Sequence, residues 1–376
     1  MSIPVNLSVP LNQDDSLPCS ATMPSASHLK PTPLPATDWL AAAPLPPPFI
    51  VPESLKDWQI RRPQIREILT NLLGDLPARP AQPRVEVLSR DDRGDYTLEK
   101  FAFDNGSCER VSGYCFLPKS ASAEQPAPAV LYCHWHGGQY DIGKEEMLLT
   151  NAVPTAPGPA LARKGYVVLG IDACCFGERN GTGPDGPLQK DAAGEMSAAK
   201  FHLWFGRSLW GMMLRDDLMA LDYLCSRPEV DTQRIGVTGI SMGSTRAWWL
   251  MALDDRLRAA VCVACLTRCQ NLIRHGMLKA HGIYYFVPSI LKHLDTEAII
   301  ALSAPRPLLF MTGDQDSGSP VDGVREIGRI VEQIYQLHGE AAGPLFESAI
   351  YPGVSHVYLP EMWDRTLEWF DRHLGP

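Results

Sequence analysis

Apolar and polar residues follow two distinct periods along this chain, and the switches between them outline a fold. The spacing is helical over 55–73. Positions 85–88, 96–103 and 110–117 then alternate with period two, which predicts three strands in an antiparallel lead-in. A short apolar run follows at 129–133, and further strands are predicted at 166–172, 234–239, 259–265, 307–312 and 346–351. Between them lie stretches of helical period: one ending over 160–164, then 212–225, 242–253, 321–337 and 361–373. Apolar strands alternating with amphipathic helices predict an α/β fold, a mainly parallel central sheet covered by helices on both faces.

Two stretches break the alternation. Residues 180–207 are rich in Gly and polar side chains, and 266–304 carry a cluster of His, Tyr and Leu with helical character. Both follow the carboxyl ends of predicted strands, where open α/β sheets bind ligands, so both are expected to be lid or pocket insertions. Upstream, residues 1–50 are rich in Pro, Ser and Ala and end in Pro44-Leu45-Pro46-Pro47-Pro48. Proline gives no N–H to a helix or a sheet ladder. Residues 1–54 are therefore expected to form a poorly ordered, extended arm before a globular body at 55–376, with Trp39, Leu40, Phe49 and Ile50 available to pin it.

Composition narrows the functional classes. A chain of 376 residues with 45% hydrophobic and 20% charged side chains can bury a substantial core. Its net charge of -9 repels phosphate backbones, so no nucleic-acid partner is expected. No run approaches the roughly 20 apolar residues that cross a bilayer, and no membrane partner is expected. The first ten residues carry neither a basic side chain nor an apolar stretch, so no secretory signal is expected. The ten cysteines are scattered, and several fall in predicted core strands, which points to a reduced, cytoplasmic protein. Oligomeric state stays open, a homo-oligomer included.

The strongest chemical signal is Gly239-Ile240-Ser241-Met242-Gly243, a G-x-S-x-G between a predicted strand and a predicted helix. A sharp strand-to-helix turn strains the serine backbone and lifts its hydroxyl off the sheet. The flanking glycines carry no side chain to clash with the turn or the helix. A serine hydroxyl is a weak nucleophile without an adjacent base. His356 follows the last predicted strand and precedes the last helix, on the same sheet edge as Ser241. The acid should follow the preceding strand, where Asp314 and Asp316 compete. Asp316 is preferred because it lies further into the loop, leaving Asp314 to shape the turn. An oxyanion needs two backbone donors. Met242 N–H is expected to be one. The loop His134-Trp135-His136-Gly137-Gly138 should supply the other, from His136 first and Gly138 second. His134 is expected to brace this loop.

Other features weigh less. Cys262, Cys265 and Cys269 lack a second Cys-x-x-Cys or a paired histidine, so no metal and no cofactor are expected. Trp135, Tyr284, Tyr285 and His281 are weak candidates for a substrate pocket. Trp204 and Trp210 divide evenly between pocket lining and core.

Roughly residues 85–376 resemble the α/β-hydrolase superfamily, and within it the dienelactone hydrolase and acetyl xylan esterase-like group. The resemblance rests on Pro128 to His134 with its glycine-rich follower, Gly170-Ile171-Asp172, Gly239 to Gly243, Ala304 to Leu309, Gly313 to Asp316 and Gly353 to His356. It implies metal-independent hydrolysis of carboxylic esters, with Asp316 as acid and His136 as oxyanion donor. True dienelactone hydrolases have a cysteine where Ser241 stands. The expected function is hydrolysis of a small or medium ester, an acylated sugar among the candidates, through an acyl-enzyme. A serine peptidase of prolyl oligopeptidase type and a non-catalytic ligand receptor on the same fold are the alternatives.

Overall fold

The computed structural model describes residues 35–45, 48–107 and 109–375. The lead-in strands are β1 (Val85–Asp92), β2 (Tyr96–Asp104) and β3 (Arg110–Pro118). They are followed by β4 (Ala127–Cys133), β5 (Val167–Ile171), β6 (Val230–Ile240), β7 (Leu257–Val263), β8 (Leu308–Gly313) and β9 (Phe346–Tyr351). Among the described residues these make one sheet in the order β1-β2-β3-β5-β4-β6-β7-β8-β9. Pairing is antiparallel from β1 through β3 to β5 and parallel from β5 to β9. The helices are α1 (Pro35–Ala42), α2 (Leu55–Leu73), α3 (Pro157–Arg163), α4 (Asp191–Trp204), α5 (Leu209–Ser226), α6 (Met242–Leu253), α7 (Cys269–Arg274), α8 (Thr296–Ala301), α9 (Val321–Gln336) and α10 (Pro360–His373).

The continuous apolar runs have a simple cause: the inner parallel strands are covered on both faces, while the edge strand β9 is half-buried. Every residue of β4 is buried. Ala129, Leu131 and Cys133 face a core shared with α2, α5, α6, α8 and α9. Val130 and Tyr132 face the opposite core, which α3 and α10 complete through Leu161, Met362, Trp363 and Phe370. In the sheet Cys133 pairs with Gly239, Gly239 with Cys262, and Cys262 with Phe310. The carboxyl ends of β4, β6, β7 and β8 therefore finish side by side, and the loops that leave them share one edge.

The structure differs from the sequence expectation in two places, the arm and the stretch 180–207. The arm expected over 1–54 lies largely outside the described residues. Its described part includes helix α1, which the proline-based argument did not foresee. Leu40 is buried, and Phe49 meets Trp58 edge to face with Arg61 over its ring. Trp39 and Ile50 stay exposed. The stretch 180–207 contains a full helix, α4, whose buried Glu195, Ala198, Ala199 and His202 share one face at helical spacing. Trp210 is core, whereas Trp204 is 89% exposed and lines nothing. No helix among the described residues is long and apolar enough to cross a membrane.

Candidate active site

Ser241 stands between β6 and α6 with φ 59° and ψ -120°. A residue with a side chain reaches that region only at a cost of about 1–3 kcal/mol. The surroundings hold it there. Ser241 N–H donates to Val263 O at 2.9 Å, and Ser244 Oγ–H donates to Ala264 O at 2.7 Å. A Cβ at Gly239 or Gly243 would overlap the Cys133 carbonyl, so only glycine lets β4, β6 and α6 approach this closely.

The loops from the neighbouring strands converge on this serine. His356 Nδ1 donates to Asp316 Oδ2 at 2.8 Å, which leaves Nε2 free. Asp316 is 4% exposed and also accepts from Gly318 N–H at 2.9 Å and Ser319 Oγ–H at 3.0 Å. Burial alone would raise its pKa. The His356 hydrogen bond and charge and these two donors outweigh that and hold it below the usual carboxylate value. Asp314 does not reach the histidine. It accepts from Gly353 N–H at 2.7 Å and shapes the turn between the two loops.

Ser241, Asp316 and His356 line one open cleft of about 460 Å³ with His136, Gly137 and Gly138. No hydrogen bond joins Ser241 Oγ to His356 here; the hydroxyl faces Cys265 Sγ at 3.7 Å. Burial, and then the Asp316 charge, push the Cys265 thiol up to about 12. Cys265 is therefore neutral at physiological pH and no competing thiolate nucleophile.

The candidate oxyanion donors differ in what they already bind. Met242 N–H opens α6, and neither it nor His136 N–H has a backbone or side-chain acceptor among the described residues. Gly138 N–H donates to His136 Nδ1 at 3.1 Å, which removes the second-choice donor. His134 donates from Nδ1 to Trp135 O at 2.7 Å and accepts Ala173 N–H on Nε2 at 3.0 Å. Burial and the Arg246 charge hold its pKa well below the ordinary value, so it is a neutral brace. Arg246 in turn pairs with Asp217 through Nε at 2.8 Å, tying α6 to α5.

Of the four pocket candidates, Tyr284 and His281 line the cleft. His281 Nε2–H donates to Gly318 O at 2.9 Å and so steadies the loop that carries Asp316. Tyr285 faces away: consecutive residues of a tight helical turn point apart, and it lines a separate apolar cavity of about 200 Å³ with Trp248 and Phe286. Trp135 also misses the cleft. Its ring packs into the core on the α10 side of the sheet, and Gly137 sits against it.

Sequence reasoning missed Glu146, Glu195, Cys265 and Lys279. Lys279 lines the cleft. Glu146 is fully buried and accepts Tyr132 O–H at 2.6 Å and Trp135 N–H at 2.8 Å, anchoring the loop after β4 to that strand. Burial pushes its carboxyl up to about 7 against the pull of those donors and Arg246. A raised carboxyl pKa means that the folded protein keeps a proton the unfolded chain releases. Glu146 therefore lowers stability as pH rises from about 4.5 to about 7. Glu146→Gln should flatten the decline of melting temperature across that window, while lowering it overall because one donor loses its acceptor. An unchanged slope in the variant would contradict this assignment.

With fold and geometry in hand, kinship follows. The chain belongs to the Abhydrolase family, whose sequence model matches residues 47–339, and so to the hydrolases of the α/β-hydrolase superfamily. Its relatives include YtaP of Bacillus subtilis, named as a hydrolase and 39% identical over 288 residues, 74% of this chain and 90% of YtaP. A second Bacillus subtilis protein, YuxL, named as an uncharacterized peptidase, is 26% identical over 288 residues, 70% of this chain but 37% of YuxL. Among solved structures, one described as an acetyl xylan esterase from Bacteroides fragilis superposes with a TM-score of 0.67 at 20% identity, covering 90% of this chain and 88% of that one. A glucuronoyl esterase from Solibacter usitatus gives 0.62 at 17% identity, covering 86% and 98%.

Proposed function

We propose that this protein is a serine-dependent carboxylic ester hydrolase working through an acyl-enzyme. The observation that carries the reading is the meeting of a strained Ser241 with His356, itself bonded to a buried Asp316, in one open cleft. His356 Nε2 takes the proton as Ser241 Oγ swings from Cys265 and attacks the ester carbonyl. Asp316 fixes the imidazole tautomer and stabilises its cation. Met242 and His136 N–H groups receive the oxyanion. The imidazolium then protonates the leaving alcohol, and water repeats the sequence to release the acid.

The substrate we propose is a small or medium ester of a polyhydroxyl alcohol, such as an acylated sugar. The cleft favours this: Lys279, His281 and Ser317 give its wall hydrogen-bonding groups, and it is open rather than a deep apolar tunnel. The carbohydrate esterases named above share the fold and point the same way. The described cysteines are free thiols, as a reducing compartment such as the cytoplasm would leave them. The test is turnover of p-nitrophenyl acetate and an acetylated sugar against a peptide p-nitroanilide. Both esters should be cleaved at rates that far exceed the anilide. Preference for the anilide would favour a peptidase, and cleavage of none of them a receptor.

A further inference from the structure

Glu195 lies on α4, in the stretch that departs from the regular alternation, and is 3% exposed. Its Oε2 accepts Tyr140 O–H at 2.7 Å and faces His136 Nε2 at 3.4 Å. Because His136 Nδ1 accepts the Gly138 N–H, Nε2 must carry the ring proton, and Glu195 is what receives it. The imidazole is held on its faces and edges as well. It stacks on Tyr284 with centroids 5.2 Å apart, and Tyr140 and Phe176 meet it edge on at 4.9 Å and 5.0 Å. The peptide beside this ring carries one of the loop's free N–H groups, that of His136. The two residues that follow, Gly137 and Gly138, have φ of 53° and 69°, a backbone that glycine adopts in many alternatives. Something must select one of them, and the ring-to-Gly138 bond does so.

Glu195 Oε1 completes the picture. It is enclosed and has no hydrogen-bond partner among the described residues. An enclosed acceptor without a donor costs stability, so packing alone gives no reason for a carboxylate here. We infer that Glu195 is a positioning residue for ester hydrolysis, acting through the His136 ring to fix the oxyanion loop. This rests on the proposed esterase reading and extends it to a residue outside the loops of the triad.

The experiment is a double-mutant cycle on the full chain with p-nitrophenyl acetate, with the rate of Ser241 labelling by a fluorophosphonate as a second readout. Glu195→Ala and His136→Phe, which keeps the aromatic stacking, should each lower kcat on the order of 10²-fold with KM within a few-fold. Labelling should slow in parallel, because the phosphonyl oxygen uses the same donors. The double variant should be no worse than either single one. Glu195→Gln, which keeps an acceptor for Nε2–H, should recover most of the loss. The inference is overturned by wild-type kcat in a folded Glu195→Ala, by a loss confined to KM, or by additive losses in the double variant. Should Glu195→Ala fail to fold, wild-type kcat in His136→Phe overturns it equally. Turnover that survives Ser241→Ala has a different meaning: it sinks the esterase reading itself.

Discussion

Replacing Asp316 by asparagine is expected to lower kcat/KM on the order of 10⁴-fold while leaving the protein folded. The carboxylate does two things that an amide cannot do together. It accepts the His356 Nδ1–H at 2.8 Å, and it carries the charge that stabilises the imidazolium formed when Ser241 is deprotonated. An asparagine can turn its NH₂ toward Nδ1, which selects the wrong tautomer and removes the base from the serine side. The comparison variant is Asp314→Asn. Asp314 bonds Gly353 N–H rather than the histidine, and an amide oxygen can take over that bond. Its effect should be confined to a stability change of roughly 1 kcal/mol. Steady-state kinetics and melting curves of the two variants decide the matter. A larger catalytic loss in Asp314→Asn, with both proteins folded, would move the acid role there. Small and equal losses would mean that neither aspartate acts with His356.

Ser241→Ala is the second large effect. Loss of Oγ removes the atom that forms the acyl-enzyme, so kcat should fall on the order of 10³-fold or more. Stability should barely change. Both residues carry a Cβ at φ 59°, the backbone strain is shared, and the hydroxyl has only the weak Cys265 contact to lose. Residual activity near the wild-type rate in the purified variant contradicts the mechanism outright.

How much of this was legible in the sequence depends on how local each feature is. The strained strand-to-helix turn at Ser241 was fully legible, because five consecutive residues and their flanks set its geometry. The inner parallel strands were visible as apolar runs, for the physical reason that both their faces are covered; the edge strand β9, with Glu347 and Ser348, is only half buried. His356 and the pair of aspartates were visible from their place after β9 and β8. Position in the loop favoured Asp316 over Asp314 without showing what holds the two apart. The choice is made where Gly313 lets the Val354 backbone pack against the end of β8, which brings Gly353 onto Asp314 and His356 onto Asp316.

What stayed hidden lies across strands or inside irregular loops. Cys265 reaches Ser241 only because β7 runs beside β6, a contact no local pattern encodes. Tyr284 and Tyr285 look alike in a sequence, yet one faces the cleft and the other a separate cavity, since no period governs a single tight turn. Helix α4 was concealed by its own composition. Its buried face is made of Ala198, Ala199, Glu195 and His202, small or polar residues that give little apolar contrast. That face carries Glu195, so the hidden helix brings a carboxylate to the oxyanion loop.

The most direct test of the central claim is to identify the residue that a fluorophosphonate modifies, by intact mass followed by peptide mapping. The account predicts a single adduct on Ser241, its formation lost in Ser241→Ala and greatly slowed in Asp316→Asn. An adduct on another residue, or none on a protein that still cleaves p-nitrophenyl acetate, would contradict it.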